Sequence, residues 1–568
     1  MFRRTRPDGG EGPRANGPLL AATVRMSLTR RRFALSLAVA ITAGVLTPVG
    51  RVRAQAGSAP DKPRLIVFLT VDQMRSDYVD RWAPQLTGGL ARLARHGAVF
   101  TNAFHDHAVT ETAPGHSVVM SGRFPRSTGI MRNTAGVEDA QAPLLTSRDL
   151  PASPYRFRGS VLIDWLRAAD PRSRALSISR KDRGAILPMG RAKQSVFWYA
   201  TSNGEFTTSR YYADTLPAWV REVNARRVPQ RAAGREWGLL LPASGYAEPD
   251  TVTEEYNGRD VTFPHRLSGD TARAAAELPY TPWMDQLTLD AAIAGLRALD
   301  LGRGPQTDIV AISLSGTDYV GHRYGPDSRE QHDNILRLDR ALGAFMDSLF
   351  TLRDSGTIAF ALTGDHGATP YPELVARRAG RLPPPRYDFG PASRIMRAAL
   401  RSAGVDTTAI MLEPPFVFSD RAAFARAGVS PDAILARFAS ALRATPAITR
   451  VDRVRDLARM DTLHDAVTRR WIHMLTPDTD AEYVITPREG AYDAGARIAE
   501  HGTPYDADAQ VPVIFWGRWF REGRQGERVL VADMAPTLAR IAGVTPIERL
   551  DGRVLERALV RSATAARP

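Results

Sequence analysis

Three short stretches of the chain are almost continuously apolar, and each ends in acidic or imidazole side chains. They read RLIVFLTVDQ, which includes Asp72, TDIVAISLSGTD, which ends at Asp318, and TIAFALTGDHG, which includes Asp365 and His366. A strand that is covered on both faces has such a run, because neither set of its alternating side chains meets water. The pattern therefore predicts buried strands of a parallel sheet.

Helical patterns separate these strands. The clearest is SREQHDNILRLDRALGAFMDSLF at residues 328–350, and a closing helix is predicted within residues 529–543. Alternating strands and helices predict the α/β class, as a three-layer α/β/α sandwich with a mostly parallel central sheet. Ligands of such sheets bind beyond the carboxyl ends of the strands, which is where the acidic and imidazole side chains fall.

Two long intervals interrupt this alternation, at about residues 134–282 and 371–500. The first is rich in Tyr, Trp, Pro and Gly, and the second contains RLPPPRYDFG and several helical stretches. We interpret both as inserted cap segments of one catalytic domain, residues 57–568, and not as independent domains.

The first 56 residues are typical of an export signal. A basic stretch is followed by an apolar run at residues 33–49 and by the small-residue site AQA at residues 54–56. TRRRFAL resembles a twin-arginine signal. A single membrane anchor is the alternative, but the apolar run is short and contains Gly44 and Pro48. We predict a periplasmic or secreted protein that has no stable membrane anchor after signal cleavage.

Composition excludes several classes of protein. The 568 residues are 43% hydrophobic and 24% charged, which is typical of a soluble globular protein. The formal net charge is +14, but part of it belongs to the leader and no run of Lys and Arg indicates a nucleic-acid partner. There is no cysteine, so disulfides, thiol nucleophiles and thiolate metal sites are excluded. Any metal must be bound by oxygen or imidazole.

Six potential metal donors lie at predicted strand ends or in nearby loops: Asp72, Asp318, His322, Asp365, His366 and His501. Taken singly, an Asp after a strand is commonly a helix cap or turn residue. Three carboxylates in one cleft, however, would repel each other unless cations neutralised them. Two divalent ions sharing them would suit a phosphoryl displacement, and mixed Asp and His ligands without sulfur favour zinc.

Lysine is rare in this chain. Of the 75 Lys and Arg residues only Lys62, Lys181 and Lys193 are lysines, and Lys181 lies two residues before Arg183. Lysine carries a compact charge on a flexible stem, whereas arginine presents a planar fork to phosphate oxygens. A lysine kept amid this arginine bias indicates a site requirement, and chance is the alternative.

Six sequence blocks resemble the alkaline phosphatase superfamily, most of all its PafA-type branch of periplasmic, phosphate-irrepressible phosphomonoesterases. In order they are TVDQMRSDY, TETAPGHSVVMSGRFPRSTGIMRN, SRKDRGAILPMG, GTDYVGHRYGP, LTGDHG and HGTPYD. They recur from about Arg64 to near the C-terminus, so the resemblance covers nearly all of the mature chain.

The resemblance implies two Zn²⁺ ions per chain and a role for each matching residue. The implied ligands are Asp318, His322 and His501 for one ion, and Asp72, Thr112, Asp365 and His366 for the other. Thr112 would be the nucleophile that forms a covalent phosphothreonine. Asn133, Lys181 and Arg183 would contact the non-bridging oxygens of a small phosphate monoester.

The residues around Thr112 fit this role, because Pro114 favours the first turn of a helix whose free amides would face the anion. Thr110 is a rival nucleophile two residues earlier. We expect structural roles for three further histidines: His105, His107 and His116.

We therefore predict a zinc-dependent alkaline phosphatase. A phosphodiesterase or nucleotide pyrophosphatase of the same superfamily is the alternative, but its members lack the Lys-x-Arg pair, since a diester carries one charge fewer. From a different class, a non-catalytic zinc-dependent binding protein is the second alternative.

Overall fold

A ten-stranded main sheet crosses the protein, and its five central strands run parallel. The computed structural model describes residues 62–496 and 498–560. The leader, residues 1–56, lies outside the described residues. Within them, no helix is both long and apolar enough to cross a membrane.

The strands alternate with helices along most of the chain. The strands of the described residues are β1 (Leu65–Val71), β2 (Ala98–Phe104), β3 (Ala175–Ser179), β4 (Ser195–Ala200), β5 (Glu205–Thr207), β6 (Glu236–Trp237), β7 (His265–Arg266), β8 (Asp308–Leu314), β9 (Ile358–Thr363), β10 (Ile410–Glu413), β11 (Phe416–Ser419), β12 (Ile448–Arg453), β13 (Ala481–Pro487), β14 (Gln510–Trp516), β15 (Gly523–Gln525) and β16 (Val529–Leu530). The α-helices are α1 (Tyr78–Arg81), α2 (Gly89–His96), α3 (Thr112–Val119), α4 (Pro125–Thr128), α5 (Leu162–Ala169), α6 (Asp182–Ile186), α7 (Ala218–Ala225), α8 (Val228–Arg231), α9 (Thr271–Glu277), α10 (Trp283–Ala298), α11 (Gly316–Tyr324), α12 (Arg329–Leu352), α13 (Pro372–Arg378), α14 (Gly390–Ser402), α15 (Arg421–Arg426), α16 (Pro431–Arg443), α17 (Ala466–Met474), α18 (Asp506–Ala509) and α19 (Met534–Ala542).

The strand order of the main sheet is β15-β2-β14-β9-β1-β8-β3-β4-β5, and β16 also pairs with β2. Strands β9, β1, β8, β3 and β4 are parallel neighbours, whereas β14 and β5 pair antiparallel with the strands beside them. The three strands predicted from the apolar runs are thus adjacent, in the order β9-β1-β8. Their carboxyl ends lie side by side at one edge of the sheet.

Both faces of the central strands are buried, and each face has its own core. Leu65, Val67 and Leu69 of β1 pack with residues of α2, α10 and α12. Ile66 and Phe68 point to the other face, where residues of α3, α5 and α19 cover them. The predicted α/β sandwich with a mostly parallel central sheet is confirmed.

The two long intervals have different structures. Residues 134–282 contribute β3, β4 and β5 to the main sheet. This interval is therefore partly built into the central sheet and partly packed around it. Residues 371–500 contain a separate antiparallel sheet of order β10-β11-β13-β12, which we call the accessory sheet. The accessory sheet has its own apolar cluster with α14 and α16.

A buried carboxylate from α12 caps the start of α2. Asp339 is 1% exposed and accepts hydrogen bonds from the backbone N–H groups of Thr87, Gly88 and Ala91, at 2.7, 2.5 and 3.0 Å. Amides at a helix start have no partner inside the helix, so a side chain must supply one. The backbones approach closely here, since a Cβ on Gly88 would lie 2.1 Å from the Asp339 carbonyl oxygen.

We expect Asp339→Ala to lower the free energy of unfolding by about 1–3 kcal/mol, because it leaves buried amides unpaired. Reversible urea unfolding measures this loss. Asp339→Asn keeps an acceptor and should lose less. An alanine variant as stable as the wild type would contradict the assignment of this cap.

Candidate metal centre and nucleophile

The functional side chains follow neighbouring strands at the carboxyl edge of the main sheet. Asp72 comes directly after β1, Asp365 lies two residues after β9, and Lys181 lies two residues after β3. Asp318 stands in the first turn of α11, which follows β8, and His322 lies one turn later on the same helix. Because parallel strands present their carboxyl ends at one edge, the fold brings these groups together.

The six predicted metal donors form two compact groups. In each group the donor atoms lie within 4.8 Å of one another. The first donor group is Asp318, His322 and His501, and the second donor group is Asp72, Asp365 and His366. The rings of His366 and His501 stack with centroids 3.7 Å apart, so the two groups are in contact.

Several donor atoms of the second group are buried and form no hydrogen bond, and their polar neighbours are charged groups at ion-pair distance. These donor atoms are both carboxylate oxygens of Asp72, Oδ2 of Asp365 and Nε2 of His366. Buried polar atoms are normally paired, so such a set at one point requires an explanation. Oxygen and imidazole donors without sulfur fit a divalent metal ion. The residues present therefore fit the predicted metal centre.

All three histidines are fixed by backbone carbonyls. The Nδ1 atoms of His322, His366 and His501 lie 2.5, 2.9 and 2.8 Å from the carbonyl oxygens of Ala499, Gly367 and Thr110, respectively. A ring that donates from Nδ1 leaves the lone pair of Nε2 free for a metal, and this is the usual way in which a protein orients a histidine ligand. The three Nε2 atoms are accordingly the ones that a metal ion could bind.

The hydroxyl of Thr112 lies beside a buried ammonium group. Thr112 is the first residue of α3 and is 1% exposed. Lys181 Nζ donates to Thr112 Oγ1 at 3.0 Å and also lies 2.8 Å from Asp72 Oδ2 and 2.6 Å from Asp318 Oδ2. Thr110 instead donates its hydroxyl to the Thr503 carbonyl oxygen at 2.9 Å. Of the two threonines, Thr112 is thus the one that is hydrogen-bonded to Lys181.

Opposite charges shift the pKa values of the site. Burial lowers the pKa of Lys181, but Asp318 and Asp72 outweigh burial and raise it to about 12. Burial likewise raises the pKa of Asp318, yet the charge of Lys181 holds it well below its usual range. Burial lowers the pKa of His366, and Asp365 and Asp72 raise it to about 9. Near neutral pH both Lys181 and His366 are therefore protonated.

Asn133 and Arg183 border this centre. Asn133 Oδ1 accepts a hydrogen bond from the Ala113 amide at 2.8 Å, which places Asn133 at the start of α3. The guanidinium of Arg183 is 25% exposed, and its nearest carboxylate partner is the neighbouring Asp182 at 3.4 Å. Within the described residues, Arg183 forms no hydrogen bond with Thr112 or Lys181. The roles predicted for these residues stay predictions.

The sequence did not single out Gln73. Its backbone amide donates to Asp365 Oδ1 and its side-chain amide donates to Asp318 Oδ1, both at 3.1 Å, so it connects the two donor groups. Its φ of 60° is uncommon for a residue other than glycine, and such backbone strain is found at functional sites. No sequence pattern marks this role, since it depends on a backbone angle and on contacts far along the chain.

The three histidines predicted to be structural are buried beside the centre. His116 lies 2.9 Å from both the Thr112 carbonyl oxygen and Ser313 Oγ, and 3.1 Å from Asp365 Oδ2. His116 thus contacts both Thr112 and one of the potential metal donors. His105 and His107 contact each other at 3.3 Å, and burial lowers the pKa of both.

Comparison with known families identifies the chain. The family model described as type I phosphodiesterase / nucleotide pyrophosphatase matches residues 66–382, more than half of the 568 residues. The chain belongs to this family. Alkaline phosphatase PafA of Elizabethkingia meningoseptica is 28% identical over 521 residues, 88% of this chain and 95% of that protein. Alkaline phosphatase PhoK of a Sphingomonas species is 30% identical over 535 residues, 88% of this chain and 92% of that protein.

Solved structures agree with this assignment to the family. The crystal structure of wild type alkaline phosphatase PafA matches with a TM-score of 0.80 at 27% identity, and the match covers 88% of this chain and 99% of that chain. The prediction of a PafA-like member of the alkaline phosphatase superfamily is confirmed.

Metal binding should release a proton from His366. A cation on Nε2 requires the neutral ring, and because the pKa is about 9 the ring carries a proton near pH 7 and has lost it near pH 10. Calorimetric titration of the metal-free protein with zinc, in buffers of different ionisation enthalpy, should show about one more proton released at the lower pH. His366→Ala should remove this difference. Equal proton release by the wild type at both pH values would contradict the expectation.

Proposed function

We propose that this protein is a zinc-dependent alkaline phosphatase that hydrolyses small phosphate monoesters with Thr112 as its nucleophile. The observation that carries the proposal is the position of Lys181, whose ammonium lies within 3.0 Å of the Thr112 hydroxyl and of one carboxylate from each donor group. The Thr112 hydroxyl, the Lys181 ammonium and both donor groups thus lie next to one another, as phosphoryl transfer requires.

The protein is a phosphoric monoester hydrolase, in keeping with the alkaline phosphatases that it resembles over nearly their whole length. The use of zinc, the number of ions and the covalent step are the finer parts of the proposal. Two donor groups of oxygen and imidazole, and the absence of cysteine from the sequence, support two zinc ions.

The first donor group would hold one ion, and the second donor group together with Thr112 Oγ1 would hold the other. When bound, the two ions would lower the pKa of the Thr112 hydroxyl and offset negative charge on the phosphoryl group. The carbonyl oxygens that fix the three histidines keep the ligand atoms in place before substrate arrives.

Thr112 acts by in-line attack on phosphorus. Its oxygen forms a bond to phosphorus while the bond from phosphorus to the leaving oxygen breaks, and the alcohol departs. Water then hydrolyses the phosphothreonine, which restores the hydroxyl and releases inorganic phosphate. Because Thr112 begins α3, the positive end of the helix dipole faces the anion throughout.

Three side chains bind the non-bridging oxygens of the phosphoryl group. Lys181 is 3% exposed and contributes a point charge next to the nucleophile, and Arg183 contributes a planar fork at the border of the cleft. Asn133 accepts from α3 through Oδ1, which leaves its amide NH₂ to donate to a phosphoryl oxygen.

Phosphodiester hydrolysis is the second candidate, because the matching family model is described as a phosphodiesterase and nucleotide pyrophosphatase. The buried Lys181 favours the monoester, whose phosphoryl group carries the greater negative charge. Export to the periplasm or the medium through a twin-arginine signal is also part of the proposal and depends on the leader.

Thr112→Ala should abolish the phosphoenzyme. Acid quenching during turnover of a ³²P-labelled monoester should trap label on the wild type and none on the variant, and kcat/KM should fall by roughly 10³-fold or more. Thr110→Ala is the matched control and should still be labelled. Label on the Thr112 variant would show that the nucleophile is another residue.

Removal of either cationic side chain should harm monoesters more than diesters. For Lys181→Ala and Arg183→Ala we expect kcat/KM for 4-nitrophenyl phosphate to fall by roughly 10²-fold, since a preorganised charge on the transition state is lost. The loss for bis-4-nitrophenyl phosphate should be much smaller. Lys193→Ala, at a surface lysine stacked on Tyr211, is the control. Equal losses on both esters would refute the preference for a doubly charged substrate.

A further inference from the structure

Asn133 is held at the start of α3 by two hydrogen bonds. Its Oδ1 accepts from the Ala113 amide at 2.8 Å, and its own backbone amide donates to Glu111 Oε2 at 2.7 Å. Glu111 directly precedes the nucleophile Thr112. Within the described residues the side-chain NH₂ of Asn133 has no hydrogen-bond partner, so it is available to donate to a phosphoryl oxygen.

The residues just before Asn133 are held by the accessory sheet. Arg132 forms an ion pair with Glu413 of β10, and its guanidinium carbon lies 5.2 Å from the ring centroid of Phe418 and 6.0 Å from that of Phe416, both in β11. Glu413 and Phe416 are partners in the β10–β11 pairing, so Arg132 binds one end of a hairpin.

The side chain of Met131 contacts the same surface. It packs against an apolar cluster that contains Phe416, Phe418 and Trp471. Residues 131–133 therefore connect the accessory sheet on one side with the start of α3 on the other. A shift of the hairpin would be transmitted through Arg132 to the neighbouring Asn133.

We propose that Arg132 is a positioning residue through which the accessory sheet sets the orientation of Asn133 toward the phosphoryl group. The inference rests on the proposed function, in which Asn133 binds a non-bridging oxygen. Arg132 is 21% exposed and Glu413 is 46% exposed, so their ion pair contributes little to stability. We expect this ion pair to affect the orientation of Asn133, because small displacements of a binding group lower the rate of phosphoryl transfer.

A double-mutant cycle tests the inference. We expect Arg132→Ala to lower kcat/KM for 4-nitrophenyl phosphate roughly tenfold and to weaken inhibition by inorganic phosphate, because Asn133 is no longer held in place. In the Asn133→Ala background the same change should have no further effect. Glu413→Gln, which keeps the stacked guanidinium, should lower kcat/KM in the same direction by a smaller factor.

Arg158 supplies a matched control. It also connects the surroundings of the main sheet with residues 371–500, through a two-fold ion pair with Asp478 at 2.7 and 2.9 Å, but its side chain packs beside Gly129 and makes no hydrogen bond to Asn133. Arg158→Ala should leave kcat/KM unchanged. Thermal midpoints of all variants separate a change of orientation from a loss of folding.

Four outcomes would overturn the inference. A loss in Arg132→Ala that persists in full in the Asn133→Ala background would mean that Arg132 acts by another route. An equal loss in Arg158→Ala would mean that general attachment of the accessory region is responsible. An Arg132→Ala enzyme with wild-type kinetics would show that the contact has no effect on Asn133. If Asn133→Ala by itself leaves kcat/KM unchanged, the role of Asn133 in the proposed function fails and the positioning role fails with it, whereas Thr112 and the donor groups are unaffected.

Discussion

The clustering of three buried carboxylates near one ammonium group is the constraint on which this site depends. Asp72, Asp318 and Asp365 are at most 2% exposed, and Lys181 contacts two of them. Like charges gathered away from water repel strongly, and one lysine cannot offset three carboxylates. The arrangement is stable only with additional positive charge, which a protonated His366 or bound metal ions provide. The fit of the donor groups to metal ions and the buried cation beside Thr112 thus both follow from this excess of negative charge.

The fold provides this clustering through rigid, fully covered strands. Five parallel strands with an apolar core on each face give little freedom to the residues at their carboxyl ends. Helix α3 then approaches the sheet closely, since a Cβ on Gly115 would lie 2.1 Å from the Asp365 carbonyl oxygen. Because glycine allows this contact, the Thr112 hydroxyl comes within hydrogen-bond distance of Lys181, which pairs with two of the carboxylates.

Both of the long intervals contribute residues around the site. The interval at residues 134–282 supplies β3, and with it Lys181, so the lysine beside Thr112 lies at the carboxyl edge of the main sheet itself. The accessory sheet lies in the other interval and contacts the peptide that carries Asn133. Lys181 and Asn133, which we propose to bind the phosphoryl group, are therefore supported by different parts of the molecule.

The sequence by itself determined the class of fold and most of the centre. Apolar runs that are buried on both faces are local patterns, so β1, β8 and β9 and the acidic residues after them could be predicted. The order of the strands, the contribution of β3 to β5, and the contacts of Gln73, His116 and Arg132 were decided by the tertiary structure. These features rest on a backbone angle or on pairs of residues that are mostly far apart in the chain, and periodicity carries no information about such pairs. The reactive residues at strand ends can be predicted from local sequence patterns. The contacts that support these residues depend on packing between parts of the chain that are far apart in sequence.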